Sequence, residues 1–225
     1  MREAVILVHG LWLSGWTMQG LRLRLARRGY AATTFSYPSI AQSLDAHARR
    51  LAARIDELPE AVIHLVGYSL GGLVVLRCLR NHGERRIGRV VLMGTPVRAC
   101  MAGRQLENMA AGERLLGASR DIWRELPEGF RPRSELGVVA GSRPWGLGRM
   151  LLRLPGSNDG VVRLQETEAP GMRDRVVLPI SHSGMLVSAQ AARQVAAFIE
   201  CGAFDHGDRA ALKREAGESS AREAR

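Results

Sequence analysis

Long uncharged apolar runs are missing from this sequence of 225 residues. A transmembrane helix needs about 18 or more consecutive apolar residues, and arginines interrupt every candidate stretch. The apolar run at residues 4–8 also lacks the longer apolar region and the small-residue cleavage site of a secretory signal peptide. We therefore expect a cytoplasmic protein with no stable insertion into a membrane.

Cysteine is scarce, and its spacing excludes several kinds of site. The three cysteines, Cys78, Cys100 and Cys201, are an odd number and lack the short spacings of metal ligands. Each is compatible with the role of a small apolar side chain. We expect free thiols, no zinc or other metal, and no cofactor.

Lysine is almost absent, so the net charge of +10 comes from arginine, and the sole lysine is Lys213. Between residues 61 and 97 five arginines stand against Glu84 alone. No basic stripe interleaved with aromatic residues accompanies them, as a nucleic-acid interface would require. The charge predicts a solvated arginine-rich surface and no nucleic-acid partner.

Short apolar, β-branched runs alternate with segments of helical period, which is typical of an α/β fold with a mostly parallel sheet and helices on both faces. We predict about six strands, at residues 4–8, 30–36, 61–66, 89–93, 136–140 and 175–179. The main helices are predicted at residues 16–28, 44–58, 70–83 and 185–199. Residues 1–204 should form one domain.

Two segments do not fit this alternation. Residues 98–133 carry mixed charge with scattered apolar residues, including Trp123 and Leu126, and predict a small helical cap. Residues 205–225 have little to bury and predict a polar tail that is either disordered or a frayed helix.

The pentapeptide Gly67-Tyr68-Ser69-Leu70-Gly71 matches the pattern G-x-S-x-G. Glycine and serine are common in this chain, so the pattern alone is weak. It follows the most strand-like run and opens a helix, which is the strand–turn–helix setting of a nucleophilic serine. Glycines allow the neighbouring backbone to approach such a sharp turn closely. Ser69 is therefore the candidate nucleophile.

A serine hydroxyl needs a base, and the base needs an orienting carboxylate, in the chain order serine, acid, histidine. His182 follows the last predicted strand and is the candidate base. The other histidines have structural explanations: His9 supports a loop, His64 lies in the central strand, His47 and His82 lie on helices, and His206 lies in the tail.

Asp159 is the candidate acid, since it lies in a turn-rich loop after the fifth strand. By itself it would suggest only an Asx turn, but the positions of Ser69 and His182 favour the catalytic interpretation. Glu166, Glu168 and Asp174 remain alternatives. Asp174 is the least favoured because it precedes the last strand, at the far end of the sheet.

Attack by a serine creates an oxyanion, which backbone N–H groups stabilise. The N–H of Leu70, directly after the nucleophile, is the first candidate donor. The second should come from the loop after the first strand, where Leu11 is the best placed.

In these motifs and in their order, the chain resembles compact bacterial lipases and esterases of the α/β-hydrolase superfamily over about residues 3–200. The motifs are His9-Gly10, Gly67 to Gly72, Asn158 to Val162, and Ser181-His182. The resemblance implies a reduced α/β-hydrolase fold that begins at the third strand of the fuller members. It also implies a serine hydrolase that cleaves carboxylic esters through an acyl-enzyme.

Two other functions stay open at this point. The same triad would serve an acyltransferase or a thioesterase, and the fold would also serve a non-catalytic binding protein.

Trp12, Tyr68 and Met185 flank the motifs and are candidates for contact with substrate, although each is also compatible with the core. A small-molecule or lipid ester would suit them, with peripheral lipid contact in the second case. The acid-loop arginines would favour anionic substrates or a lipid interface; they are Arg143, Arg149, Arg153 and Arg163. The sequence does not indicate an oligomeric state.

Overall fold

A computed structural model describes residues 2–109, 111–119, 129–146 and 154–207. Six parallel strands form one sheet in the order β2-β1-β3-β4-β5-β6. Their bounds are β1 Ala4–Val8, β2 Ala31–Phe35, β3 Ile63–Tyr68, β4 Ile87–Met93, β5 Glu135–Gly141 and β6 Asp174–Leu178.

Seven α-helices connect or follow these strands within the described residues. They are α1 Gln19–Ala26, α2 Leu44–Asp56, α3 Leu70–His82, α4 Met101–Glu107, α5 Gly112–Leu116, α6 Gly184–Val187 and α7 Ala189–Cys201. Short 3-10 helices lie at Gly15–Met18 and Leu164–Thr167. None of the helices described here is both long and apolar enough to cross a bilayer.

Both faces of the sheet are covered, which explains why the central strands are apolar throughout. All five residues of β1 are buried. Ala4, Ile6 and Val8 pack with α2 and α3, whereas Val5 and Leu7 pack with α1 and α7. Side chains alternate across a strand, so a strand buried on both faces cannot alternate in polarity. The predicted α/β class, with six strands in a parallel sheet and helices on both faces, is confirmed.

The sheet also fixes where loops meet. From β1 the chain goes out to β2 and then returns to β3 on the other side of β1, so the strand order reverses between β1 and β3. Gly67 of β3 is paired with Val8 of β1 and with Leu92 of β4. The loops after these strands therefore converge at a topological switch point, where α/β sheets bind ligands.

Strand β3 extends two residues beyond its predicted end at residue 66. Tyr68 pairs with Met93 of β4, so the ladder continues to the residue before Ser69. Glycine has low strand propensity, and only the neighbouring strands make Gly67 part of the ladder.

The predicted helix at residues 185–199 is divided into α6 and α7. Ser188 has an extended backbone, with ψ 121°, and its hydroxyl accepts a hydrogen bond from the Ala191 N–H at 3.1 Å. A side-chain cap of this kind begins a new helix. Helix α7 then ends at Gly202, whose φ of 71° lies in the left-handed region.

Helices α4 and α5 lie within the predicted cap, and the latter is attached to the loop after β1 by a bond from Trp12 Nε1–H to the Leu115 carbonyl at 2.7 Å. Trp123 and Leu126 lie outside the described residues.

Asp205, at the start of the predicted tail, exchanges hydrogen bonds with Gln194 of α7. Residues 208–225 lie outside the described range.

Removing the Ser188 hydroxyl should weaken the start of α7. Ser188→Ala should lower the free energy of unfolding by about 1 kcal/mol, because the Ala191 N–H loses its acceptor. Ser188→Asp keeps an acceptor and should stay close to wild type. Urea denaturation measures both, and equal stability of Ser188→Ala and wild type would contradict the cap.

Candidate active site

Ser69 occupies a strained turn between β3 and α3. Its φ of 53° and ψ of −122° are unusual for a residue with a side chain. The Ser69 N–H donates to the Met93 carbonyl at 2.8 Å, and the Gly72 N–H donates to the Ser69 carbonyl at 3.0 Å. These two bonds hold the strained backbone from both sides.

The glycines around Ser69 are required by close backbone packing. A Cβ at Gly71 would overlap the carbonyl oxygens of Val8 and His9, at the end of β1. A Cβ at Gly67 would overlap the backbone of Gly72. The start of α3 thus lies directly against β1, which brings the first loop beside Ser69.

His182 and Asp159 form a buried hydrogen-bonded pair. The distance between His182 Nδ1 and Asp159 Oδ2 is 2.7 Å, and the two residues are 7% and 1% exposed. Since a carboxylate accepts, Nδ1 carries the hydrogen and Nε2 is left as an acceptor. The His182 N–H also donates to the Asp159 carbonyl at 2.8 Å.

The loop around Asp159 holds its carboxylate in place. Oδ1 accepts hydrogen bonds from the N–H groups of Val161 and Val162, at 2.9 and 2.7 Å. The Asx turn considered from the sequence is therefore present together with the bond to His182. Oδ1 of Asp159 stabilises the turn, and Oδ2 binds the imidazole of His182.

Tyr68 links the Ser69 turn to His182. Its hydroxyl donates to the His182 carbonyl at 3.0 Å, and the two rings lie 5.0 Å apart between centroids. A Cβ at Gly94 would lie 3.1 Å from the His182 ring, and the preceding residue, Met93, accepts from the Ser69 N–H. Ser69 and His182 thus flank one backbone segment. Among the described residues no hydrogen bond joins the Ser69 hydroxyl to His182.

The loop after β1 lies beside Ser69. A Cβ at Gly10 would lie 3.1 Å from Ser69 Cβ. The Leu13 N–H donates to the Gly10 carbonyl, and the Trp12 N–H donates to the Ser39 hydroxyl. Within the described part of the chain, the intervening Leu11 N–H has no partner.

Leu70 is the first residue of α3, where backbone N–H groups lack partners in their own helix. The two amides expected to bind an oxyanion thus lie in the loop after β1 and at the first residue of α3. Their role stays a prediction.

Both ring nitrogens of His9 make hydrogen bonds within and beside the loop after β1. Its Nδ1 lies 2.8 Å from the Gly10 carbonyl, and its Nε2 accepts from the Tyr37 N–H at 3.2 Å. The Tyr37 hydroxyl in turn donates to the His9 carbonyl at 2.8 Å. Burial lowers the pKa of His9, so the ring stays neutral and supports the turn.

Tyr37, which sequence analysis did not identify, rests on His47. The two rings lie 4.5 Å apart, and His47 is fully buried on α2. Neither ring nitrogen of His47 has a hydrogen-bond partner among the described residues. Burial, followed by the positive charge of Arg50, lowers the pKa of His47 to about 4.

The residues predicted to contact substrate differ in exposure. Trp12 is 52% exposed beside the free Leu11 amide, whereas Tyr68 and Met185 are 3% and 1% exposed. The bond from Tyr68 to the His182 carbonyl gives this side chain a positioning role that its sequence pattern does not indicate. Contact of all three with substrate stays a prediction.

The alternative acids lie elsewhere. Glu166 caps the helix Leu164–Thr167 and accepts from the Met101 N–H, while Glu168 pairs with arginines. Asp174 is the first residue of β6, at the amino ends of the strands, where it accepts from the Phe204 N–H and contacts His206. No group of three or more potential metal ligands occurs in the described part of the chain.

The sequence profile of the Alpha/beta hydrolase family matches residues 5–160. The chain therefore belongs to this family. A search of curated protein sequences gave no match.

Solved structures give the same fold at low identity. The mature lipase BlEst2 of Bacillus licheniformis is 19% identical, with a TM-score of 0.69 over 88% of this chain and 91% of its own. The metagenomic carboxyl esterase MGS0156 is 18% identical, with a TM-score of 0.67 over 88% and 75%. The esterase EaEST of Exiguobacterium antarcticum is 14% identical, with a TM-score of 0.64 over 89% and 92%.

Buried His47 should make folding stability depend on pH. The unfolded residue binds a proton with a pKa of about 6.5, whereas the folded one does so only at about 4. The free energy of unfolding should therefore fall as pH drops below 6.5, and at pH 5 the loss from His47 is about 2 kcal/mol. Urea denaturation at about pH 7.5 and 5 measures the difference.

His47→Leu should remove this part of the loss, and His82→Gln, on the exposed end of α3, should keep it. The variant His47→Leu will keep a smaller pH dependence from His9 and His64, whose pKa values burial also lowers. An unchanged pH dependence in His47→Leu would contradict the assignment.

Proposed function

We propose that this protein is a serine hydrolase that cleaves carboxylic esters through an acyl-enzyme. The observation that carries the proposal is the buried pair of His182 and Asp159, in which Nδ1 of the imidazole is bonded and Nε2 is free. Tyr68, the residue before the strained Ser69, bonds to the His182 carbonyl and keeps the imidazole close to the Ser69 turn. Membership of the Alpha/beta hydrolase family supports hydrolysis as the reaction class.

In the proposed mechanism, His182 Nε2 takes the proton of the Ser69 hydroxyl as the oxygen attacks the ester carbonyl. Asp159 keeps Nδ1 protonated and stabilises the imidazolium that forms. The imidazolium then gives its proton to the departing alcohol, which leaves an acyl group on Ser69. Water, deprotonated by His182, releases the acid and restores the enzyme.

The N–H groups of Leu11 and Leu70 would bind the oxyanion that forms in each half of this cycle. Two features support this role: the Leu11 amide is free beside Ser69, and the Leu70 amide lies at the start of α3. Loss of one such donor reduces kcat by about 10²- to 10³-fold.

An ester is the favoured substrate because the similar structures are described as lipases and esterases. Exposed Trp12 offers an apolar surface beside the proposed oxyanion site, which suits a small-molecule or lipid ester. Transfer to an alcohol or thiol, or cleavage of a thioester, would use the same groups and differs only in leaving group or acceptor.

A fluorophosphonate probe tests the nucleophile. Wild type should be labelled and Ser69→Ala should not, because the probe reacts with an activated serine. Ser183→Ala, on the exposed residue after His182, is the matched control and should label like wild type. Equal labelling of Ser69→Ala would refute the assignment.

Asp159→Asn tests the acid in an ester hydrolysis assay. Without the carboxylate, the imidazole loses its tautomer and orientation, and kcat for p-nitrophenyl butyrate should fall by about 10⁴-fold. Glu168→Gln should leave kcat within about threefold of wild type, because this carboxylate pairs with arginines away from His182. The opposite ranking would transfer the role to Glu168.

A series of p-nitrophenyl esters from acetate to palmitate tests the substrate. We expect turnover of short and medium chains, since Trp12 is exposed beside the site. Turnover limited to long chains, and faster above the critical micelle concentration, would favour a lipase. Turnover of thioesters alone would replace the ester assignment.

A further inference from the structure

A cleft of about 990 Å³ lies at the amino ends of the strands, whereas Ser69 lies at their carboxyl ends. Its walls come from the starts of β3, β4 and β5 and from the end of α3. Ser69 follows the other end of β3, so the cleft is separate from the proposed active site. A volume of this size is within the range of small-molecule sites.

Five arginines and three glutamates line the cleft, and the glutamates already have partners. Glu84 accepts from the N–H groups of Arg133 and Ser134, at 2.8 and 2.6 Å. Glu3 contacts His64 at 2.9 Å. Glu135 pairs with Arg89 and with Arg173.

Four of the arginines have no such partner. Their side chains make no hydrogen bond and no ion pair within the described ranges; they are Arg80, Arg85, Arg131 and Arg133. The carboxylates of Glu3 and Glu84 also oppose these four guanidinium groups, because their partners are a histidine ring and backbone N–H groups. The carboxyl end of α3 adds about half a negative charge more, and together these do not cancel the four positive charges. The cleft therefore has an excess of uncompensated positive charge, in agreement with the arginine excess between residues 61 and 97.

Apolar side chains also line the cleft. Leu79 is buried in the core below α3, while Ile87 and Phe130 are partly exposed and pack against that core. An inorganic anion would leave this surface wet. An anion with an organic part would cover it and gain from its burial.

We propose that this cleft binds a small organic anion that carries a phosphate group. The planar guanidinium fork matches two phosphate oxygens at once, and several forks at one site favour phosphate over a single carboxylate. The organic part would lie on Ile87 and Phe130. The concave shape favours a molecule free in solution over a flat membrane surface.

Phenyl phosphate is a suitable probe, and inorganic pyrophosphate is its counterpart without an organic part. Calorimetric titration of the full chain should give saturable binding of phenyl phosphate with a Kd below about 1 mM. Weaker binding would overturn the proposal. Ser69→Ala should bind equally, and loss of binding in this variant would place the probe in the active site and overturn it as well.

A double variant tests the arginines. Arg85→Ala with Arg131→Ala should raise the Kd for phenyl phosphate at least about tenfold, since two charged donors are lost. Arg24→Ala with Arg49→Ala removes the same charge from the exposed surfaces of α1 and α2, and should change the Kd less than about twofold. If both double variants changed the Kd equally, the binding would depend only on the net charge of the protein, and the proposed site would be wrong. Thermal melting confirms that all variants fold.

Two further experiments test the apolar contact with Phe130 and the alternative that the arginines bind a membrane. Phe130→Ala should weaken phenyl phosphate about fivefold and leave pyrophosphate unchanged, because only the former has a ring to bury. Equal affinity of Phe130→Ala and wild type for phenyl phosphate would contradict the proposal. Retention on phosphatidylglycerol vesicles without binding of phenyl phosphate would assign the arginines to a membrane and overturn it.

Discussion

The close contact between the start of α3 and the end of β1 is the constraint on which the rest of the site depends. At Gly71 the helix lies against the Val8 and His9 carbonyls with no space for a side chain. This contact brings the loop with Gly10 and Leu11 beside Ser69. The strained Ser69 backbone persists because two hydrogen bonds hold it and the packed sheet supports them.

The histidine is fixed by a second set of contacts that reach it from several strands. Asp159, from the loop after β5, binds both its ring and its N–H. Tyr68, at the end of β3, binds its carbonyl. A buried imidazole held from both sides has little freedom to change rotamer, and the role of general base proposed for His182 requires such preorganisation.

The two ends of the sheet carry different chemistry. At the carboxyl ends, His9, Tyr37 and Asp159 are buried and make hydrogen bonds to neighbouring protein groups. At the amino ends, the carboxylates are satisfied but several arginines are not. The first arrangement suits a reaction that needs a fixed geometry, and the second suits a ligand that supplies the missing negative charge.

The sequence alone determined the fold class and nominated Ser69, Asp159 and His182, because a two-sided sheet requires apolar strands and a nucleophile turn requires glycine. The roles of Tyr68, Tyr37 and Ser188 were decided only by tertiary structure. Hydrogen bonds of Tyr68 and Tyr37 join residues 114 and 28 positions apart, which local periodicity cannot reveal. The break at Ser188 depends on the backbone angle of one residue within an otherwise helical pattern.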